Sequence, residues 1–281
     1  MKGFDPRVTP VRPDLAAKHL EGKVAAARFI EGRVMEVVAP QAPLRHEPRP
    51  DAPLVTEALC GERVSVYDSN AEGWSWGQLA ADGYVGWLPS SALGPPGPPP
   101  THKVAALRTF AFPGPSIKLP PIEALPLGAT IVVARVADRM AVTPAGAYVP
   151  AAHLKPIDEY EMDFVAVAER FLGVPYLWGG KTALGLDCSG LVQIALTACG
   201  LSCPRDSDMQ EQALGQPVAR SDVRRGDLVF WKGHIAVMRD HATLLHANAF
   251  HMAVAIEPIA DAVTRIHGAG SEITSMRRIG P

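Results

Sequence analysis

Residues 187–200 read DCSGLVQIALTACG, and residues 234–247 read HIAVMRDHATLLHA. The first stretch is apolar on nearly all sides and stops at Gly200, which predicts a helix buried in a domain core. Asp187 and Cys188 fall at its start, where unsatisfied backbone N–H groups and the helix dipole favour negative charge. A thiol placed there should ionise more readily than a free one. A buried small residue is the commoner fate of a cysteine, and the second stretch decides against that reading. It has the pattern of a β-hairpin with its turn centred on Asp240, which sets His234 directly opposite His246. Facing residues of an antiparallel pair have Cβ atoms about 5 Å apart on one face, so the second imidazole orients the first. A nucleophile, a base and a third polar group fixing the base form the general arrangement of an activated thiol. Cys188, His234 and His246 are the candidate catalytic residues.

Working outward, YEMDFVAVAERFLG (residues 160–173) carries apolar residues at helical spacing, and Gly173 ends the pattern. DLVFW, HIAVM, TLLHA and MAVAI follow as antiparallel strands. Residues 158–281 therefore predict an α+β domain in which two helices lead into a sheet, the helix with Cys188 packing on it. Upstream, VMEVV, RVSVYD, GWSWGQL and GYVGWL are short β-rich runs punctuated by turn residues and predict a small barrel over residues 31–95. GPPGPPP, residues 94–100, predicts a stiff polyproline-like stretch, and the linker proper is placed at residues 96–101. KVAALRTF, TIVVARV, RMAVTP and AYVPAAHL repeat the short-strand habit, which predicts a second small barrel over residues 102–157. Residues 1–30 form an arm with one short helix near Asp14 to Leu20, where Pro13 and Asp14 supply start signals.

The 281 residues hold 47% hydrophobic and 20% charged residues, an ordinary globular balance. Lys plus Arg number 27 against 29 Asp plus Glu, with no long basic run, so nucleic acid is not expected as a partner. Trp74, Trp76 and Trp87 then read as barrel core rather than a stacking platform. No apolar stretch reaches the roughly 20 residues of a membrane helix, and the charged, proline-containing start lacks a signal-peptide core. Both point to a cytoplasmic protein. Cys60, Cys188, Cys199 and Cys203 are too few for a disulfide scaffold. His234, His241, His246 and His251 lack the spacing of a zinc-finger ligand set, so no metal and no cofactor are expected.

DCSGLV, GHIAV and LLHA resemble the three catalytic blocks of NlpC/P60 cysteine peptidases, in that family's order, with PYLWGG before the cysteine and PRDSDMQ after it. The resemblance covers about residues 160 to 260. It implies a papain-like catalytic domain preceded by two bacterial SH3-like barrels, with Cys188 as nucleophile, His234 as base and His246 as orienter. The whole arrangement is similar to γ-D-glutamyl-L-diamino-acid peptidases, in which the first SH3-like domain closes one end of the cleft so that only a free amino-terminal L-Ala fits. The resemblance implies that Tyr84, Asp187, Ser189 and Ser207 contact a murein peptide such as L-Ala-γ-D-Glu-diaminopimelate; a carboxylate and a phenol can accept from an ammonium, and hydroxyls can satisfy peptide and carboxyl groups. Arg205 fits the α-carboxylate of D-Glu and equally fits a structural ion pair. The expected activity is hydrolysis of the γ-D-Glu to diamino-acid bond of peptides released during wall recycling. The rival readings are another acyl substrate for the same thiol, or an inert domain that binds wall peptides.

Overall fold

The β-rich runs between residues 33 and 94 pair into one seven-stranded sheet in the computed structural model of the chain, which describes residues 4–280. Its order is Leu54–Leu59, Gln41–Arg45, Val85–Pro89, Trp74–Leu79, Arg63–Ser69, Arg33–Val37 and Leu93–Gly94. Gln41–Arg45 and Val85–Pro89 alternate partly exposed and buried positions, as strands with one face on a core must. The inward residues, among them Val37, Leu44, Val64, Leu79 and Leu88, form one apolar cluster. The proline-rich stretch is tied down at its middle, because Gly97 donates to Glu36 Oε2 at 2.8 Å and accepts from Arg63 at 2.8 Å.

Residues 1–3 of the expected arm and Pro281 lie outside the described residues. The expected helix at 14–20 is not formed: Ala16–Ala17 is extended and pairs in parallel with Phe29–Ile30, leaving one 3-10 turn at Lys18–Leu20. Leu15, Ala16 and Ala17 are fully buried side by side, the extended backbone sending successive side chains to opposite faces. The arm is fastened to the first sheet. Arg12 bonds Asp68 at 2.6 Å and lies over the Trp76 and Trp87 rings at 4.5 and 5.0 Å, a half-buried cation over aromatic faces. Residues 102–156 build three small sheets of two or three strands each, around Val104, Ala111, Leu125, Ala129 and Val149.

The chain divides into two units, Met1–Glu159 and Tyr160–Pro281. In the second unit, α1 is Phe164–Glu169, α2 is Cys188–Ala198 and α3 is Ser207–Ala213. The strands are β1 (Gln216–Pro217), β2 (Asp227–Trp231), β3 (His234–Met238), β4 (Thr243–Asn248) and β5 (Ala253–Pro258). Helix α4 (Ile259–Gly268) and β6 (Ile273–Arg278) follow, and the order of this six-stranded sheet is β1-β6-β2-β3-β4-β5, while Lys181–Thr182 and Gly185–Leu186 pair separately as a small hairpin. Two helices beyond the expected pair are therefore present, α3 and α4. Leu228, Phe230, Ile235 and Val237 join α2 residues Val192 and Leu196 in one cluster. Val229, Trp231, Ala236 and Met238 join Ala262 of α4 in another, with Ile259, Val263 and Ile266 against it. Alternate residues of β2 and β3 thus serve opposite faces, with α2 covering one and α4 the other.

Candidate active site

Helix α2 starts at Cys188 because Asp187 caps it, the Asp187 side chain accepting from the Gly190 N–H at 2.7 Å. Gly200, at φ 77°, follows the helix in the left-handed conformation, and the run from Cys188 to Leu196 is buried throughout. A Cβ at Gly190 would collide with the Gly180 carbonyl, so glycine lets the helix start press against the preceding loop.

Beneath Cys188 lies a closed polar network. Arg205, 1% exposed, grips Asp187 with both terminal nitrogens, at 2.9 and 2.8 Å, and also donates to Ser189 Oγ at 2.9 Å and the Gly180 carbonyl at 3.2 Å. Asp187 Oδ2 accepts in addition from the Gly179 N–H at 2.8 Å, and Oδ1 accepts from Ser189 Oγ at 3.2 Å. Of the expected substrate contacts, Asp187, Ser189 and Arg205 therefore hold one another. Ser207 stands apart from this network as the half-buried first residue of α3. Tyr84 belongs to the first unit, where it is buried in the apolar cluster of the seven-stranded sheet.

The hairpin differs in register from the expectation. Val237 pairs with Leu245 and Met238 with Leu244, and the Arg239 N–H donates to the Thr243 carbonyl. The turn is therefore centred on His241 and not on Asp240, so His234 and His246 are diagonal rather than directly opposite. The cause is the Asp240 side chain, which accepts from the Ala242 and Thr243 N–H groups and from the Thr243 hydroxyl and so moves the turn one residue along the chain. A shift of two residues across the ladder keeps both imidazoles on one face. His234 Nε2 and His246 Nδ1 are hydrogen-bonded at 2.9 Å, and the Trp231 ring lies 5.7 Å from that of His234.

Electrostatics correct a second expectation. The Cys188 thiol is pushed up to about 12, first by burial and then by the Asp187 charge, against which the Ile235 and Ser189 backbone groups act more weakly. Burial removes more from the thiolate than the helix start returns. His234 is pushed down to about 3 by burial, then by His246 and Arg265. The resting site thus holds a neutral thiol, met by the backbone of the residue next to a neutral imidazole. Tyr176, whose phenol is raised by burial and then by Cys188 and Asp187, stands beside this group.

Sequence reasoning did not find Glu257 and Arg265. His246 Nε2 stands 2.8 Å from Glu257 Oε1, a short contact bent away from hydrogen-bond geometry, and Arg265 bonds the same oxygen. Despite burial, which raises it, the Glu257 carboxyl is held at about 2 by His246 and Arg265. His246, His251 and Glu257 also bring one donor atom each within 4.8 Å of one another, a group that could hold a metal ion, although Arg265 already engages the Glu257 oxygen.

Residues 44–93 match the bacterial dipeptidyl-peptidase Sh3 domain, and residues 173–268 match the NlpC/P60 family. A γ-D-glutamyl-L-lysine dipeptidyl-peptidase of Bacillus subtilis is 33% identical over 200 residues, 64% of this chain and 65% of that protein. A probable endopeptidase of Corynebacterium glutamicum is 40% identical over 101 residues, 35% of this chain and 48% of that protein. The chain thus covers about half to just under two thirds of these relatives. The crystal structure of an NlpC/P60 family protein from Bacillus cereus superposes with a TM-score of 0.76 at 21% identity, covering 89% of this chain and 100% of the other, a likeness of fold.

Proposed function

From the membership of the second unit in the NlpC/P60 family of cysteine peptidases, behind an Sh3 domain of the dipeptidyl-peptidase type, we propose that this chain hydrolyses the γ-D-Glu to diamino-acid bond of peptidoglycan stem peptides that carry a free amino-terminal L-Ala. The observation that carries the reading is the cysteine at the start of a buried helix, beside a strand whose His234 is bonded to His246. The finer substrate assignment is supported by the likeness to the B. subtilis relative, a γ-D-glutamyl-L-lysine dipeptidyl-peptidase. We read residues 102–157 as a second SH3-like barrel and the second unit as papain-like. Peptides released in wall recycling are the substrates this reading favours.

In the reaction, His234 takes the Cys188 proton as sulfur forms a bond to the γ-carbonyl carbon of D-Glu. Collapse of the tetrahedral intermediate expels the diamino-acid amine, which receives that proton from His234. A water molecule, deprotonated by the same imidazole, then cleaves the thioester and frees L-Ala-D-Glu and the Cys188 thiol. Backbone N–H groups at the start of α2 face the developing oxyanion. The burial of Arg205 favours the ion-pair reading over a direct bond to substrate. In that role Arg205 and Asp187 set the floor on which Ser189 and Ser207 meet the peptide.

Mass-spectrometric digestion of L-Ala-γ-D-Glu-diaminopimelate, with and without an N-acetyl block, tests the assignment. L-Ala-D-Glu should appear from the free peptide alone. Equal cleavage of both peptides removes the amine requirement, and cleavage of neither moves the thiol to another acyl group. The pH profile adds a second test. Because His234 lies near 3, the acid limb of kcat should fall below the roughly 6.5 of an unperturbed imidazole; a limb at or above that value would contradict the buried neutral base.

A further inference from the structure

Glu257 lies one pleat away from His246 across the last strand pair. Leu244 faces Glu257 and His246 faces Ala255 in the β4 and β5 register, so the imidazole and the carboxylate are diagonal neighbours on one face. Arg265 reaches the same carboxylate from α4 and stacks on the Phe250 ring at 4.5 Å. The charged and titratable groups around the pair are therefore His234 from β3, His251 from the turn after β4, and Arg265 from α4. Glu257 is 8% exposed and His246 is fully buried. A carboxylate oxygen 2.8 Å from a ring nitrogen, even in a bent contact, repels a lone pair there and favours the hydrogen on that nitrogen. An ionised carboxylate offers acceptors only.

We propose that Glu257, held in place by Arg265, is a positioning residue that keeps the hydrogen of His246 on Nε2. The bare His246 Nδ1 then accepts from the His234 Nε2–H across their 2.9 Å contact. His234 is left with an unprotonated Nδ1, the tautomer that can take a proton from a thiol. In a neutral imidazole the hydrogen bond at one nitrogen decides the state of the other, and here the decision passes through two rings. The inference rests on reading Cys188 and His234 as nucleophile and base, and it extends that set by two residues.

Histidine ring 15N spectra of the full chain at neutral pH read the tautomers directly and need no substrate. In the wild type both His234 and His246 should carry hydrogen on Nε2. Glu257→Leu should leave His246 as a mixture of tautomers and lower kcat about tenfold or more with KM within about twofold. Glu257→Gln, whose amide oxygen still accepts, should keep the wild-type tautomer and recover most of kcat. Hydrogen on Nδ1 of wild-type His246 would overturn the proposal, as would a folded Glu257→Leu chain with unchanged tautomer and kcat. Should the muropeptide resist cleavage, the substrate assignment fails while the spectra still decide the role of Glu257.

Discussion

Cys188→Ala should abolish peptide hydrolysis, lowering kcat at least about 10³-fold, while the second unit stays folded. No other described group near α2 offers a comparable nucleophile: Ser189 is bound between Asp187 and Arg205, and the Tyr176 phenol is raised above its ordinary range. Alanine is a good helix former and fits the space of the thiol, so α2 should persist, and circular dichroism and peptide binding should match the wild type. Steady-state assay of the purified variant checks this. Turnover within about tenfold of wild type would remove Cys188 from the mechanism and restore the reading of an inert wall-peptide-binding domain.

Arg205→Met should destabilise the second unit by about 3–5 kcal/mol. The guanidinium is fully enclosed, and its loss strands a buried carboxylate that would keep only the Gly179 and Gly190 N–H groups and the Ser189 hydroxyl. For a unit of this size the change corresponds to a fall in melting temperature of roughly 10–20 °C. Arg239→Met, which cuts a solvent-facing bridge to Glu169, should cost no more than about 1 kcal/mol. Thermal melts of the two variants side by side measure the contrast. Equal melting temperatures would show that the Asp187 pair contributes nothing beyond a surface bridge.

Much of the site is legible in the chain because the signals involved are local. The largely apolar run after Cys188, ended by Gly200, has the length of a buried helix, and any even shift in the register of HIAVM against TLLHA leaves His234 and His246 on one face, whereas a shift of one residue would part them. The position of the turn depended on the Asp240 carboxylate choosing backbone partners two and three residues on, a competition that alternation does not record. Helix α4 left a readable trace, Pro258 followed by Ile259, Ala262, Val263 and Ile266 at helical spacing. Glu257 left none, since its meeting with His246 depends on the register of two strands and with Arg265 on where α4 docks. Nor does sequence weigh a helix start against burial, which is why the thiol stands opposite to its expected charge.

The arm that carries Arg12 bears on where the first unit can be trimmed. The apparent strand domain begins near residue 31, yet Leu15, Ala16 and Ala17 are fully buried and Arg12 spans Asp68, Trp76 and Trp87. A fragment cut at the first strand would discard these residues and hand their indole faces to solvent, converting a covered surface into a sticky one. The smallest well-behaved piece of this half therefore includes Arg12 and the residues up to the first strand, and sequence engineers should treat them as part of the barrel.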